Sequence, residues 1–196
     1  MTNYTNPTKV ITGPRTRWSY ANVWEPKSIN GSAPKYSVSF IIPKDDTKTV
    51  NDLKNAIRAA YEEGRDKLKG NGRTVPPFES IKNPLRDGDT ERPDDANYRG
   101  CFFVNANSGT KPGVVDRDCR PIFERSEVYS GVYGRASINF YAFNVNGNRG
   151  IACGLNNLQK ISDGEPLGGK ASAESDFNDG FKAEDTNLDE VPPWLE

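Results

Sequence analysis

In the stretch VYGRASINFYAF, residues 132–143, two kinds of chemistry alternate. Val132, Gly134, Ala136, Ile138, Phe140 and Ala142 are apolar or small, while Tyr133, Arg135, Ser137, Asn139, Tyr141 and Phe143 mix rings with polar groups. Successive side chains of a strand point to opposite faces, so the first set reads as a core face. The second set does not, because Arg135 and Asn139 would be buried without partners. Rings beside a guanidinium on an exposed strand suit unpaired nucleotides: bases stack on the rings at ~1–3 kcal/mol each, and cations follow the phosphates. The competing explanation is structural, since Tyr and Phe favour strands and pack under loops.

A second stretch repeats the pattern. Within residues 15–24, Thr16, Trp18, Tyr20, Asn22 and Trp24 share one face and Arg15 and Arg17 the other. If the tryptophan face points inward, the rings are core and only the arginines are available. Alternation alone does not choose between these arrangements. Lys27, Lys35, Arg86, Lys111, Arg117 and Arg149 lie in or beside loops and can line the same groove, though each alone reads as a solvated charge.

Other chemistries are weakly supported. Histidine is absent, which removes the Ser-His and Cys-His triads and the common zinc sites. Cys101, Cys119 and Cys153 are odd in number and lack any C-x-x-C spacing, which fits reduced cytosolic thiols. GEPLGGKA (164–171) matches G-x-x-x-x-G-K but continues with Ala171, where a phosphate loop needs a hydroxyl for Mg²⁺. Asp87, Asp89, Glu91, Asp94 and Asp95 crowd one loop without the spacing of a Ca²⁺ loop. A metal-dependent nuclease or phosphoesterase built on these carboxylates is the alternative enzyme reading; a protein-binding recombination mediator is another. The favoured reading is non-enzymatic and calls for no cofactor and no metal.

The elements that must carry these residues are mostly strands. Residues 9–24 and 36–42 have period two, with Gly13-Pro14 interrupting the first as a bend would. Val50, Leu53, Ile57, Ala60, Tyr61, Gly64 and Leu68 follow helical spacing, so one amphipathic helix is expected, closed by Gly70. Residues 71–99 read as a long proline-rich loop and 101–107 as a strand. Two further strands flank Asn146-Gly147, a strong hairpin signal because a type I′ turn needs φ > 0 twice. Interruptions at Gly134, Gly150 and Gly154 suggest sharp curvature. The expected fold is mainly β: an OB-fold-like five-stranded antiparallel barrel with one helix (residues 1–162) and a disordered acidic C-terminal tail (163–196).

The net charge of −1 conceals a division. From Glu174 onward there are eight acids and one base, which leaves 25 bases against 19 acids elsewhere: a tail of −7 on a body of +6. A basic body attracts polyanions. No secretory signal and no run of apolar residues long enough to span a bilayer is visible, so the expectation is a cytoplasmic protein without membrane contact.

Several blocks resemble a family of bacteriophage-encoded single-stranded DNA-binding proteins: RWSYANVWEPKSINGSAPKYSVSFIIPK, NPLRDGD, RPDD, GTKPGVVDRD, and YSGVYGRASINFYAFNVNGNRGIACGLNNLQKISDGEPLGG. The resemblance spans roughly residues 8–170. It implies an OB-fold barrel with an acidic tail, coating single strands during phage replication and recombination in the host cytoplasm. The usual order places the helix between the third and fourth strands; here either Gly13-Pro14 divides the first stretch, or the fold is a variant. The tail tip, Asp189, Glu190, Val191, Pro192, Pro193, Trp194 and Leu195, is similar to the partner-binding tips of such proteins, but ends in Leu195-Glu196 rather than on the aromatic. A flexible tail of this length reaches ~30–35 Å, enough to compete for a DNA groove and to offer Trp194 to a replication or recombination protein. Homo-oligomerisation is left open.

Overall fold

Alternation along residues 132–143 is reproduced in three dimensions: Ala136, Ile138, Phe140 and Ala142 are all buried. They belong to β7 (Tyr133–Val145), which turns back at Asn146-Gly147 into β8 (Asn148–Ser162). Both turn residues have positive φ, 51° and 81°, as the Asn-Gly pair predicts. The computed structural model describes residues 6–28 and 30–168. Of the expected tail (163–196), residues 163–168 are described, with Leu167 donating its N–H to the Ser130 carbonyl, whereas the acidic stretch from Glu174 and its tip lie outside the described residues.

Before this hairpin come β1 (Lys9–Ile11), β2 (Arg17–Lys27), β3 (Lys35–Pro43), helices α1 (Thr47–Glu63) and α2 (Arg65–Lys69), β4 (Arg86–Asp87), the short helix α3 (Gly88–Glu91), β5 (Cys101–Ser108) and β6 (Gly113–Val115). Five strands close a ring: β2 pairs with β3, β3 with β5, β5 with β8, β8 with β7, and β7 with β2 through Arg17 and Tyr133. This is the expected five-stranded barrel, with β1, β4 and β6 as short additions on β7, β5 and β8. It is not wholly antiparallel, however. The closing pair β5–β8 runs parallel, Ala106 opposite Cys153.

Gly13-Pro14 does divide the first stretch, separating β1 from β2. The helix nevertheless falls between the second and third ring strands, so the order is also a variant. Gly13 donates its N–H to Thr49 Oγ1 at 2.9 Å, and a Cβ there would meet Asp46 Oδ2 at 2.5 Å. Asp46 in turn caps α1, accepting from the Thr49 N–H. The buried stripe of α1 includes Val50, Leu53, Ile57 and Ala60.

The single helix expected to run to Gly70 is two. At Gly64 a Cβ would lie 2.2 Å from the Cβ of Ala142 on β7, so the chain approaches the sheet where no side chain fits. The helix breaks there and restarts as α2, which buries Leu68 before stopping at Gly70.

Candidate nucleic-acid interface

The alternation in β2 reverses midway. Trp18 is wholly buried, its Nε1–H donating to the Gly134 carbonyl at 3.2 Å. Val23 is also wholly buried, although it lies on the opposite parity. Between them the pairing with β3 shifts register, from Ser19 opposite Ser39 to Asn22 opposite Ser37. Tyr20 takes the extra position with φ 47°, a left-handed conformation that a tyrosine rarely adopts. The bulge turns its ring outward, 58% exposed. Trp18 is therefore core and cannot stack on a ligand, a correction to its inclusion among the candidate contacts, whereas Tyr20 is free to do so.

Tyr20 stands at one end of a groove of roughly 500 Å³ on the outer face of β2, β3 and β5. The floor is built in rows across three strands. Asn22, Ser37 and Asn107 form one row, and Ser39 and Asn105 belong to the next. Their inward neighbours Val38, Phe40, Val104 and Ala106 are core, so strand geometry alone aims the small polar groups into the groove. Lys27 and Lys35, paired across β2 and β3, contribute cations from the end near the connecting loop.

Arg92 supplies the wall beside Tyr20. Its guanidinium lies 5.8 Å from the Tyr20 ring centroid, 5.1 Å from that of Tyr98 and 5.7 Å from that of Phe103. It also reaches Tyr20 Oη at 3.5 Å. The segment carrying it is strapped down by the acids of the 87–95 loop. Lys44 Nζ holds Asp87 at 2.8 Å and Asp89 at 2.7 Å. Asp89 also accepts from the Gly100 N–H, Arg86 Nε donates to Glu91 at 2.6 Å, and Asp95 accepts from the Asn97 N–H. The hydrogen bonds from Lys44 hold both aspartates below the ordinary carboxylate range, and the two carboxylates raise Lys44 in return. Among the described residues no cluster of acids and cysteines is placed to hold a metal ion. Four of the five carboxylates behind the nuclease alternative, Asp87, Asp89, Glu91 and Asp95, are engaged by Lys44, Arg86 and backbone N–H groups and anchor this segment.

Of the candidate contacts, Tyr20 and Lys35 line this groove, as does the loop cation Lys27. The others scatter. Arg17 stacks on Tyr133 at 5.2 Å and donates to the carbonyls of Gly131 and Glu165. Arg15 pairs with Asp45, Arg135 with Gln159, and Arg117 with the Ile161 carbonyl. Asn139 packs against Gly154 and Phe143 against Gly150. Arg149 Nε is buried without a partner among the described residues, and Tyr141 stands exposed on β7. Trp24 is half-buried, its Nε1–H bonded to the Val128 carbonyl and Lys111 over its ring at 5.2 Å, beside the exposed Phe123. The sequence reading missed Arg92, Ser37, Ser39, Asn105 and Asn107. The available signal was the small polar residue at every second position of two otherwise apolar strands.

A profile of the family described as Enterobacter phage Enc34, ssDNA-binding protein, matches residues 8–188. Protein p50 of Acyrthosiphon pisum secondary endosymbiont phage 1 is 33% identical over 181 residues, covering 88% of this chain and 94% of that one. Among solved structures, the single-stranded DNA-binding protein from bacteriophage Enc34 in complex with ssDNA superposes with a TM-score of 0.68. The two are 23% identical, over 83% of this chain and 91% of that one. Gp2.5, a single-stranded DNA binding protein encoded by bacteriophage T7, superposes with a TM-score of 0.57 at 15% identity, over 89% of this chain and 98% of that one. At these identities the solved structures establish the barrel, while the profile spans nearly all of the sequence. The chain belongs to the family of phage single-stranded DNA-binding proteins typified by that of phage Enc34.

Proposed function

We propose that the chain binds single-stranded DNA, with little sequence preference and without catalysis, in the groove over β2, β3 and β5. The observation that carries this reading is the outward Tyr20 beside Arg92, set over a polar floor that ends at Lys27 and Lys35. A ring for stacking and cations for phosphates are the two things an unpaired strand requires. Family membership and the Enc34 relative solved with ssDNA support the same reading. The remaining cations of the body act at longer range, through the positive field of a +6 domain.

In the infected host cell this activity would protect single strands during phage replication and recombination. The −7 tail would compete for the groove as a polyanion, and Asp189–Leu195 would recruit replication proteins once DNA displaces it. Mobility shift of oligo-dT against duplex DNA across a salt series tests the main reading. Three groove cations, Lys27, Lys35 and Arg92, predict a slope of log affinity against log salt of about −2. Equal affinity for duplex, or no salt dependence, would overturn it. Deleting residues 174–196 is expected to tighten binding; weaker binding would remove the competition by the tail.

A further inference from the structure

Two side chains on the groove floor are unused by the fold. Asn105 and Asn107 sit two residues apart on β5, each outward, flanking the inward Ala106. Both line the groove, and among the described residues neither side-chain amide has a hydrogen-bond partner in the chain. Several other amides of the sheet and its helices have structural work, in contrast to this pair on the groove floor. Asn22 donates to Ser37 Oγ and the Tyr20 carbonyl, Asn144 to the Lys67 carbonyl, and Asn157 accepts from the Gly113 N–H.

A primary amide presents an acceptor oxygen and a donor N–H side by side. The Watson–Crick edge of every base does likewise: N1 and N6–H of adenine, N3 and N4–H of cytosine, O4 and N3–H of thymine, O6 and N1–H of guanine. Turning the amide through half a revolution exchanges its two halves, so one asparagine matches any of the four. In a duplex these edges are already occupied by the opposite strand. Positions i and i+2 of a strand are about 6.7 Å apart, twice the ~3.4 Å rise of stacked bases. That spacing suits successive bases of an unstacked strand.

We propose that Asn105 and Asn107 are edge-reading residues: each pairs with the Watson–Crick edge of a nucleobase lying in the groove, so the groove selects unpaired bases without choosing among them. This rests on the groove being the single-strand site. It explains how a site can reject duplex and still tolerate any sequence.

The test is equilibrium binding of the full chain to fluorescently labelled oligo-dT and to a labelled duplex of equal length. Replacing both residues with alanine is expected to weaken oligo-dT binding roughly tenfold, at a few-fold per lost contact, and to leave duplex binding unchanged. Equal loss on both ligands, or no loss on either, overturns the proposal. Because Asn105 is exposed, the fold should survive, as thermal unfolding would show. Should the double variant misfold, the isosteric Asn105→Asp decides. A carboxylate only accepts, and guanine alone offers it two adjacent donors, N1–H and N2–H. The affinity ratio of oligo-dT carrying isolated guanines to plain oligo-dT should then rise several-fold over the original protein; an unchanged ratio overturns the proposal. Failure of the unsubstituted chain to bind any single strand would instead sink the groove reading itself.

Discussion

On the outer face of β7, Arg17 stacks on Tyr133, Arg135 is bonded to Gln159, and Asn139 is packed against Gly154. On the face formed by β2, β3 and β5, Tyr20 stands outward, and Asn105 and Asn107 have no partner among the described residues. Both faces mix rings, cations and amides, so composition does not separate them. What separates them is arrangement: the Asn139 amide is packed against Gly154 on an open strand face, whereas Asn105 and Asn107 stand two residues apart in a groove beside Tyr20. Both faces hold a guanidinium stacked on rings, Arg17 on one and Arg92 on the other, but only the groove sets a pair of unpartnered amides beside it, with all their hydrogen-bonding capacity available. Contrasting variants on the two faces, with a core variant as reference, should expose that difference.

The largest effect belongs to neither face. Trp18→Ala removes a fully buried indole and is expected to lower stability by ~3–5 kcal/mol in chemical denaturation. A loss below ~1 kcal/mol would mean that Trp18 is not core and that the parity switch at Tyr20 is wrong. Next is Tyr20→Gly. It removes the stacking ring but relieves the left-handed strain at φ 47°. Affinity for oligo-dT should fall by ~1–3 kcal/mol while stability rises by about 1 kcal/mol. Affinity and stability moving together would refute the separation of roles.

Acid should act on the strap before the barrel. Asp87 and Asp89 are held below the ordinary carboxylate range by Lys44, so their stabilising contribution is complete above about pH 4 and is lost as pH falls through their lowered values. Lys44, raised by the same contacts, works in the other direction and releases the strap only as pH climbs past the ordinary lysine range. Hydrogen exchange should show residues 86–99 opening in acid while the β7–β8 hairpin stays protected. Simultaneous opening would show that the Lys44 contacts do not hold the strap separately. The smallest effect is Tyr141→Ala, expected to change oligo-dT affinity by less than about twofold; a loss matching that of Tyr20 would merge the two faces.

Much of this architecture can be read in the sequence. Period-two patterns give β3 and β7, residues 101–107 read as the strand β5, the Asn146-Gly147 pair gives the hairpin, and Val50 to Leu68 give the helical segment, because each is decided by neighbours within a few residues. The groove was only partly legible. The bulge at Tyr20 is set by how β2 pairs with β3, which the local string does not record, and one inserted position exchanges the inside and outside sets beyond it. The break at Gly64 depends on Ala142, far along the chain. Arg92 arrives through contacts between Lys44 and the loop acids, more than forty residues apart in sequence. Those acids left a metal-dependent enzyme open as an alternative because spacing alone does not reveal that a lysine sits between them.

The parallel seam between β5 and β8 also has a consequence for how the protein is made. Ala106 meets Cys153 only after β8 has left the ribosome, so until then β5 carries an open edge ready to pair with any passing strand. A ring whose seam waits for β8 assembles late and by distant contacts, which favours slow folding. The Cys153 thiol, buried at that seam and driven by burial to resist ionisation, would be reached by an alkylating reagent only in molecules still unsealed. It thus offers a built-in timer for the moment the barrel closes.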